Sequence, residues 1–141
     1  MQYKFKKAWS WPEDVESFIK ARIKHPCLHI CSGASDIGDV KLDLYYVKDN
    51  KTVMGDAFNP PFRPESFECI VSDPPWHFPY HLRPKLIKNM RDLLRPGGEL
   101  IFNAPWWFSL PDLKIIEVWY AETKVWRNCP LIIIAQKLHK K

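Results

Sequence analysis

Only eight residues separate Cys31, which closes one short apolar run, from Val40, which opens the next. If the two runs are neighbouring parallel strands, the chain must travel back along the sheet within that span. Such a crossover ordinarily takes about a dozen residues or more and includes a helix. The first crossover helix is therefore expected to be missing. The next link, residues 46–51, is shorter still and cannot hold a normal helix either. A chain built this way must form a sheet with a reduced number of helices, one face of it thinly covered.

The other runs follow the same plan. Residues 10–24 read as an opening helix: Ser10 and Glu13 have capping-box spacing, and Val15, Phe18, Ile19 and Ile23 recur at helical intervals. Residues 27–31, 40–45, 52–54, 67–72, 99–103, 116–121 and 131–138 read as strands. Residues 83–94 form an amphipathic helix with Leu86, Ile87, Met90, Leu93 and Leu94 on one side, stopped by Arg95-Pro-Gly-Gly98. A helical turn is expected near 111–114, and residues 122–130 join the last two strands as a hairpin. The unbroken apolar run 131–135 suits a strand covered on both faces. Seven strands with few helices give an α/β fold, mostly parallel, in one domain over 1–141.

Several classes are excluded or disfavoured. The longest apolar run has five residues, far from the roughly 18 needed to span a bilayer. The basic start, Met1-Gln-Tyr-Lys-Phe-Lys-Lys7, is not followed by the apolar stretch of a secretory signal. No CxxC pair occurs among Cys27, Cys31, Cys69 and Cys129, so reduced thiols and a cytoplasmic location are expected. His25, Cys27, His29 and Cys31 alternate and could share one strand face, but residues spaced along an extended line do not close a tetrahedron; packed core thiols are expected, and no metal. The net charge of +5 leans toward a polyanionic partner.

In open α/β sheets, ligands sit at the carboxyl ends of the strands. Ser32 to Gly38, Asp43, Asp56, Asp73 to Trp76 and Asn103 to Trp107 each follow a strand end. Asp73-Pro-Pro-Trp76 is the strongest signal. Two prolines fix the backbone and remove two amide donors, leaving carbonyls as acceptors. Asp73 adds a carboxylate and Trp76 a flat ring, a combination able to hold an exocyclic amino group while a planar base stacks. A tight turn with a packed Trp is the plain alternative.

Taken in order, these segments resemble the class I S-adenosylmethionine-dependent methyltransferases, a Rossmann-like family. Asp73-Pro-Pro-Trp76 resembles the catalytic motif of the amino-methyltransferases, closest to the adenine-N6 branch. The resemblance covers residues 28 to about 138 and implies S-adenosylmethionine as cofactor. It places Cys31, Ser32, Gly33, Ser35 and Gly38 in the cofactor loop, Asp43 on the ribose, and Asp56, Ala57 and Phe58 beside the adenine. It gives Asp73, Pro74, Pro75 and Trp76 the catalytic role: Asp73 and the Pro74 carbonyl accept from the target amino group while Trp76 stacks the base. His77, Tyr80, Trp106 and Trp107 would line the substrate pocket. Each has a structural alternative: a solvated carboxylate at Asp43, a turn at Asp56, core packing at Phe58 and Trp106. Lys85, Lys88, Arg91 and Arg95 either track a phosphate backbone or are a solvated helix face.

The chain departs from the family in two ways. Residues 31–38 lack the Gly-x-Gly-x-Gly pattern, and no segment is left for a target-recognition domain. A partner chain, either a second copy or a specificity subunit, is expected to complete it, with nucleic acid as the expected substrate. A degenerate, non-catalytic module of the same fold is the alternative.

Overall fold

The apolar run Phe67–Ser72 becomes the middle strand of a seven-stranded sheet, with three strands on either side. The computed structural model describes residues 13–45, 47, 49–74, 79–103, 106–120 and 131–140. Its elements are α1 (Glu13–Arg22), β1 (Cys27–Ile30), β2 (Val40–Asp43), β3 (Thr52–Met54), β4 (Phe67–Ser72), α2 (Arg83–Leu93), β5 (Leu94–Asn103), β6 (Leu113–Tyr120) and β7 (Leu131–Lys137). The strand order is β3-β2-β1-β4-β5-β7-β6. Every neighbour pair from β3 through β5 is parallel, and β7 runs antiparallel to both β5 and β6. The expected Rossmann-like α/β sheet with an antiparallel last strand and few helices is therefore present.

Alternation along the strands sorts the core into two layers. Leu28, Ile30, Leu42, Ile70, Leu100, Phe102 and Ile133 face α2, which buries Leu86, Ile87, Met90 and Leu93 against them. Cys27, Cys69, Val71, Ile101, Ile132 and Ile134 face the other way and meet Val15 and Ile19 of α1. An ion-pair network fastens α1 to the sheet: Arg22 reaches Glu99 at 3.0 Å and Glu117 at 2.6 Å, and Lys24 reaches Glu99 at 2.7 Å. Burial pushes the Glu99 carboxyl up, but Lys24 and Arg22 outweigh it and hold the group below its ordinary value.

Residues 31–39 cross from β1 to β2 without a helix. They lie along the α1 side of the sheet, where Ile37 joins Val15, Ile19 and Cys27 in the core. Polar anchors replace the helix's apolar stripe. His29 Nδ1 donates to the Ile37 carbonyl at 3.1 Å, and the fully buried Lys41 ammonium reaches the Ser35 carbonyl at 3.3 Å and Asp49 at 2.7 Å. At the far end, Asp39 N–H donates to the Cys27 carbonyl at 2.8 Å. Gly38 makes the passage possible. Its φ is +106°, and a Cβ there would sit 3.1 Å from both the His29 Cβ and the Val40 oxygen.

Several expectations need correction. Cys31 does not continue the β1 face: the strand stops at Ile30, Cys31 takes φ 58°, and it packs with the Leu28 and Ile30 layer, away from Cys27. The Arg95-Pro-Gly-Gly98 stop ends α2, yet it is already strand, because β5 starts at Leu94. Gly98 fits there because a Cβ would lie 2.9 Å from the Arg95 oxygen and 3.0 Å from the Glu68 oxygen. The turn expected near 111–114 is present but shorter: Leu113 N–H donates to the Leu110 carbonyl at 3.2 Å, and β6 begins at once with Leu113, which is buried in the α2-side core. Residues 10–12 of the opening helix and the whole 122–130 connection, with Cys129, lie outside the described residues. Among the described residues no helix is long and apolar enough to cross a membrane.

Candidate functional site

The strand order reverses between β1 and β4, the point at which α/β sheets bind ligands. Reading across the carboxyl edge from β3 to β5, the chain places Asp56, Asp43, Cys31, Asp73 and Asn103 in succession. Each follows or ends its strand, so the backbone of the sheet sets their spacing.

Asp43 ends β2 as a preorganised carboxylate. Its Oδ2 accepts the Gly33 N–H at 2.9 Å and its Oδ1 accepts the Tyr45 N–H at 3.0 Å. Two backbone amides thus fix the orientation of this half-buried carboxylate, and the Gly33 amide is engaged with it. Asp56 Oδ1 accepts the Phe58 N–H at 2.8 Å, closing the turn after Gly55 and leaving the carboxylate exposed at the sheet edge. Ala57 is buried and accepts at its carbonyl from Asn89 of α2 at 3.2 Å; Phe58 packs half-buried on the α2-side core.

Asp73 is buried at the end of β4. Asn103, at the end of the neighbouring β5, donates its Nδ2 to Asp73 Oδ1 at 3.2 Å. Pro74 follows, also buried. Pro75, Trp76 and His77 lie outside the described residues. The Cys31 thiol registers the charge of the whole edge. Burial comes first, and the negative fields of Asp43, Asp73 and Asp56 add to it, so that its pKa is pushed up to about 12.

Not all the expected cofactor-loop residues share this edge. Ser32 does: it is buried, and its hydroxyl has no hydrogen-bond partner. Ser35 is turned inward, accepting at Oγ from the Ile37 N–H at 3.1 Å. Gly38 sits at the opposite, amino end of the strands, beside Asp39 and Cys27. The reason is geometric. A loop that crosses the sheet in nine residues cannot keep all of them at one edge, so Gly38 serves the crossing and lies away from the cluster.

Tyr80, Trp106 and Trp107 come together around a cavity of about 420 Å³, with Arg83, Ile87 and Phe108. The two tryptophans divide the roles. Trp106 is 8% exposed and packs edge-on to Phe102 at 4.9 Å, whereas Trp107 is 61% exposed. Of the cations on and after α2, Arg91 is paired with Asp92 and Asp112, and Arg95 with Glu68. Lys85 and Lys88 remain exposed on α2.

The sequence placed Asn103 after a strand at this edge but gave it no role; its bond to Asp73 follows from laying β5 beside β4, since both strands end there. Ser72 and Arg83 carried no such signal. Ser72 pairs with Ile30 across the reversal point, and its hydroxyl, like that of Ser32, is buried without a partner.

A family model described as a methyltransferase domain matches residues 34–102. The chain has the class I methyltransferase fold. The 1,6-didemethyltoxoflavin-N1-methyltransferase of Burkholderia thailandensis, solved with S-adenosylhomocysteine, superposes with a TM-score of 0.69 at 10% identity, covering 90% of this chain and 78% of that one. N-methyltransferase NodS of Bradyrhizobium japonicum, also solved with S-adenosylhomocysteine, gives 0.62 at 15% identity over 79% of this chain and 76% of its own. TrmN of Thermus thermophilus gives 0.60 at 17% identity over 79% of this chain, which spans only 43% of TrmN. No curated protein matches the chain in sequence.

S-adenosylmethionine is the cofactor of this fold, and the residues present fit it. The row of carboxylates suits a cationic ligand, Asp43 is held ready for paired donors, and the Ser32 and Ser72 hydroxyls flank the reversal point as unpartnered hydrogen-bonding groups. Among the described residues no group of three or more His, Cys, Asp or Glu side chains is disposed to hold a metal ion.

Proposed function

We infer that the chain is an S-adenosylmethionine-dependent methyltransferase acting on an amino nitrogen, with adenine N6 in nucleic acid as its substrate. The observation that carries this is the buried Asp73, fixed by Asn103 and followed by a buried proline, next to the cofactor edge. S-adenosylmethionine supplies, when bound, a methyl group on a positively charged sulfur. Asp43 and Asp56 hold its ribose and adenine ends, and Ser32 lies between them and Asp73. Asp73 accepts a hydrogen bond from the target amino group and, with the Pro74 carbonyl, turns the nitrogen's lone pair toward the methyl. Asn103 keeps the carboxylate from rotating. A neutral target nitrogen would gain the methyl group as the methyl–sulfur bond breaks and would shed a proton along its hydrogen bond to Asp73 or to water, so the contribution asked of Asp73 is alignment and a path for that proton. The motif Asp73-Pro-Pro-Trp76 supports the choice of amino nitrogen, and the net charge of +5 supports a polyanionic substrate. The free thiols of Cys27, Cys31 and Cys69 accord with a cytoplasmic setting. In this reading a second copy or a specificity subunit completes target choice.

Transfer of a labelled methyl group from S-adenosylmethionine to adenine-containing DNA and RNA tests this directly. Asp73→Ala should lower transfer about a hundredfold, the scale of a lost alignment contact, while cofactor binding persists. Transfer that Asp73→Ala leaves unchanged, or none at all from the wild type, overturns the assignment. In the latter case, retained cofactor binding would point to the non-catalytic module, which the helix-free crossing 31–39 favours.

A further inference from the structure

A single turn of 3₁₀ helix, Tyr80–Leu82, delivers Arg83 to the start of α2. Its guanidinium carbon lies 5.0 Å from the centre of the Trp106 ring and 5.5 Å from that of Tyr80. Two ring faces thus steady the cation. Arg22, Arg91 and Arg95 are each paired with a carboxylate. Arg83 differs: no acidic residue stands in the first turn of α2, and among the described residues none is paired with it. It also lies at the helix end whose dipole favours negative charge. The Arg83 Nε and the Trp106 Nε1 are both buried and have no acceptor among the described residues. Both residues line the 420 Å³ cavity, the remainder of which is largely aromatic and aliphatic. Both of those nitrogens are closed off from solvent, so the group that an acceptor entering the cavity would meet is the rest of the half-buried Arg83 guanidinium, which lines the wall and has no carboxylate partner among the described residues.

We propose that this cavity binds a nucleoside monophosphate unit, its planar base against the aromatic wall and its phosphate on Arg83. The proposal deepens the function inferred above and rests on it for the identity of the base. The anion contact at Arg83 stands on the cavity alone. A guanidinium held flat presents a fork that matches phosphate oxygens and that lysine does not reproduce. The unit can arrive as a free nucleotide or within a single strand, and the chemistry at Arg83 is the same.

Calorimetry on the full chain, with adenosine monophosphate, adenosine and a short single-stranded adenine oligonucleotide as probes, tests this. Wild type should bind adenosine monophosphate at least tenfold more tightly than adenosine. Arg83→Gln should abolish that preference while leaving affinity for S-adenosylhomocysteine, bound at the separate carboxyl edge, unchanged, and Arg83→Lys should restore it only in part. Tighter binding of the oligonucleotide than of the mononucleotide identifies a strand as the source, and equal binding a free nucleotide; both support the site. Equal affinity of the wild type for adenosine and its monophosphate overturns the proposal without any variant. So does a preference that survives Arg83→Gln, or failure of all three probes to bind. If the phosphate preference is present but methyl transfer is absent, the catalytic assignment fails and the anion site stands.

Discussion

Of the crossings that join parallel neighbours in this sheet, β4 to β5 and β1 to β2 are built differently. Between β4 and β5 the chain makes a helix, α2, whose Leu86, Ile87, Met90 and Leu93 are buried. Between β1 and β2 it makes nine residues of loop, in which Ile37 is the one aliphatic side chain sunk in the core. The first crossing is held by apolar area. The second is held by buried hydrogen bonds at His29, Ser35 and Lys41 and by a glycine in a conformation other residues resist. The difference shows that a parallel return needs cover and polar satisfaction, not a helix as such. It also shows where the chain could be shortened: on the α1 side, where α1 itself supplies the missing apolar cover.

This contrast can be broken by substitution. Met90→Ala should cost about 2–5 kcal/mol, the loss of a buried side chain plus a cavity that a helix packed on a sheet cannot close. Ile37→Ala should fall at or below the low end of that range, because a loop can settle into the space. Urea unfolding of both variants measures the gap. Equal losses would mean that the loop is as rigidly packed as the helix.

Acid should find the β1–β2 crossing next. Burial lowers the His29 pKa from 6.5 to about 4, with the nearby Lys41 adding to it and the hydrogen bond to Ile37 opposing it. The folded state therefore keeps this ring neutral at pH values where the unfolded chain binds a proton. The sign follows: stability is intact above pH 6.5 and falls as pH drops toward 4, by ~3 kcal/mol at one shifted unit per 1.4 kcal/mol. His29→Gln should flatten that slope in unfolding experiments between these pH values. A slope unchanged by the substitution would remove His29 as its source.

The smallest effect is expected at Gly38. Gly38→Ala must place a Cβ 3.1 Å from the His29 Cβ in a backbone with φ +106°, and should cost about 1–3 kcal/mol. Thermal unfolding reads the loss. S-adenosylhomocysteine affinity should be nearly unchanged, since Gly38 lies at the amino end of the strands; a large fall in affinity would return Gly38 to the cofactor site.

The apolar runs at 27–31, 67–72 and 131–138 were legible because a strand covered on both faces needs continuous hydrophobicity, and α2 because its apolar positions recur at helical spacing. The missing crossover helix was legible from counting alone. What stayed hidden depended on backbone turns that composition does not encode. Cys31 looked like the next residue of an alternating strand and instead turns into the left-handed region. Arg95-Pro-Gly-Gly98 looked like a loop but extends β5, because glycines without side chains can lie against the Glu68 and Arg95 carbonyls. At the site, the acidic residues announced themselves by standing after strands. Gly38 was misplaced because two glycines five apart suggested one loop at one edge. Asn103 and Arg83 matter through residues 30 and 23 positions away, Asp73 and Trp106, a relation visible only once the strands are ordered.

The central claim is that the carboxyl edge from β3 to β5 is a cofactor site with Asp43, at the end of β2, as its preorganised carboxylate. Calorimetric titration of S-adenosylhomocysteine into the wild-type chain and into Asp43→Ala tests it most directly. The account predicts micromolar binding by the wild type and a loss of tenfold or more in the variant, at least ~1.4 kcal/mol. Absence of binding to the wild type, or equal binding by both, would contradict it.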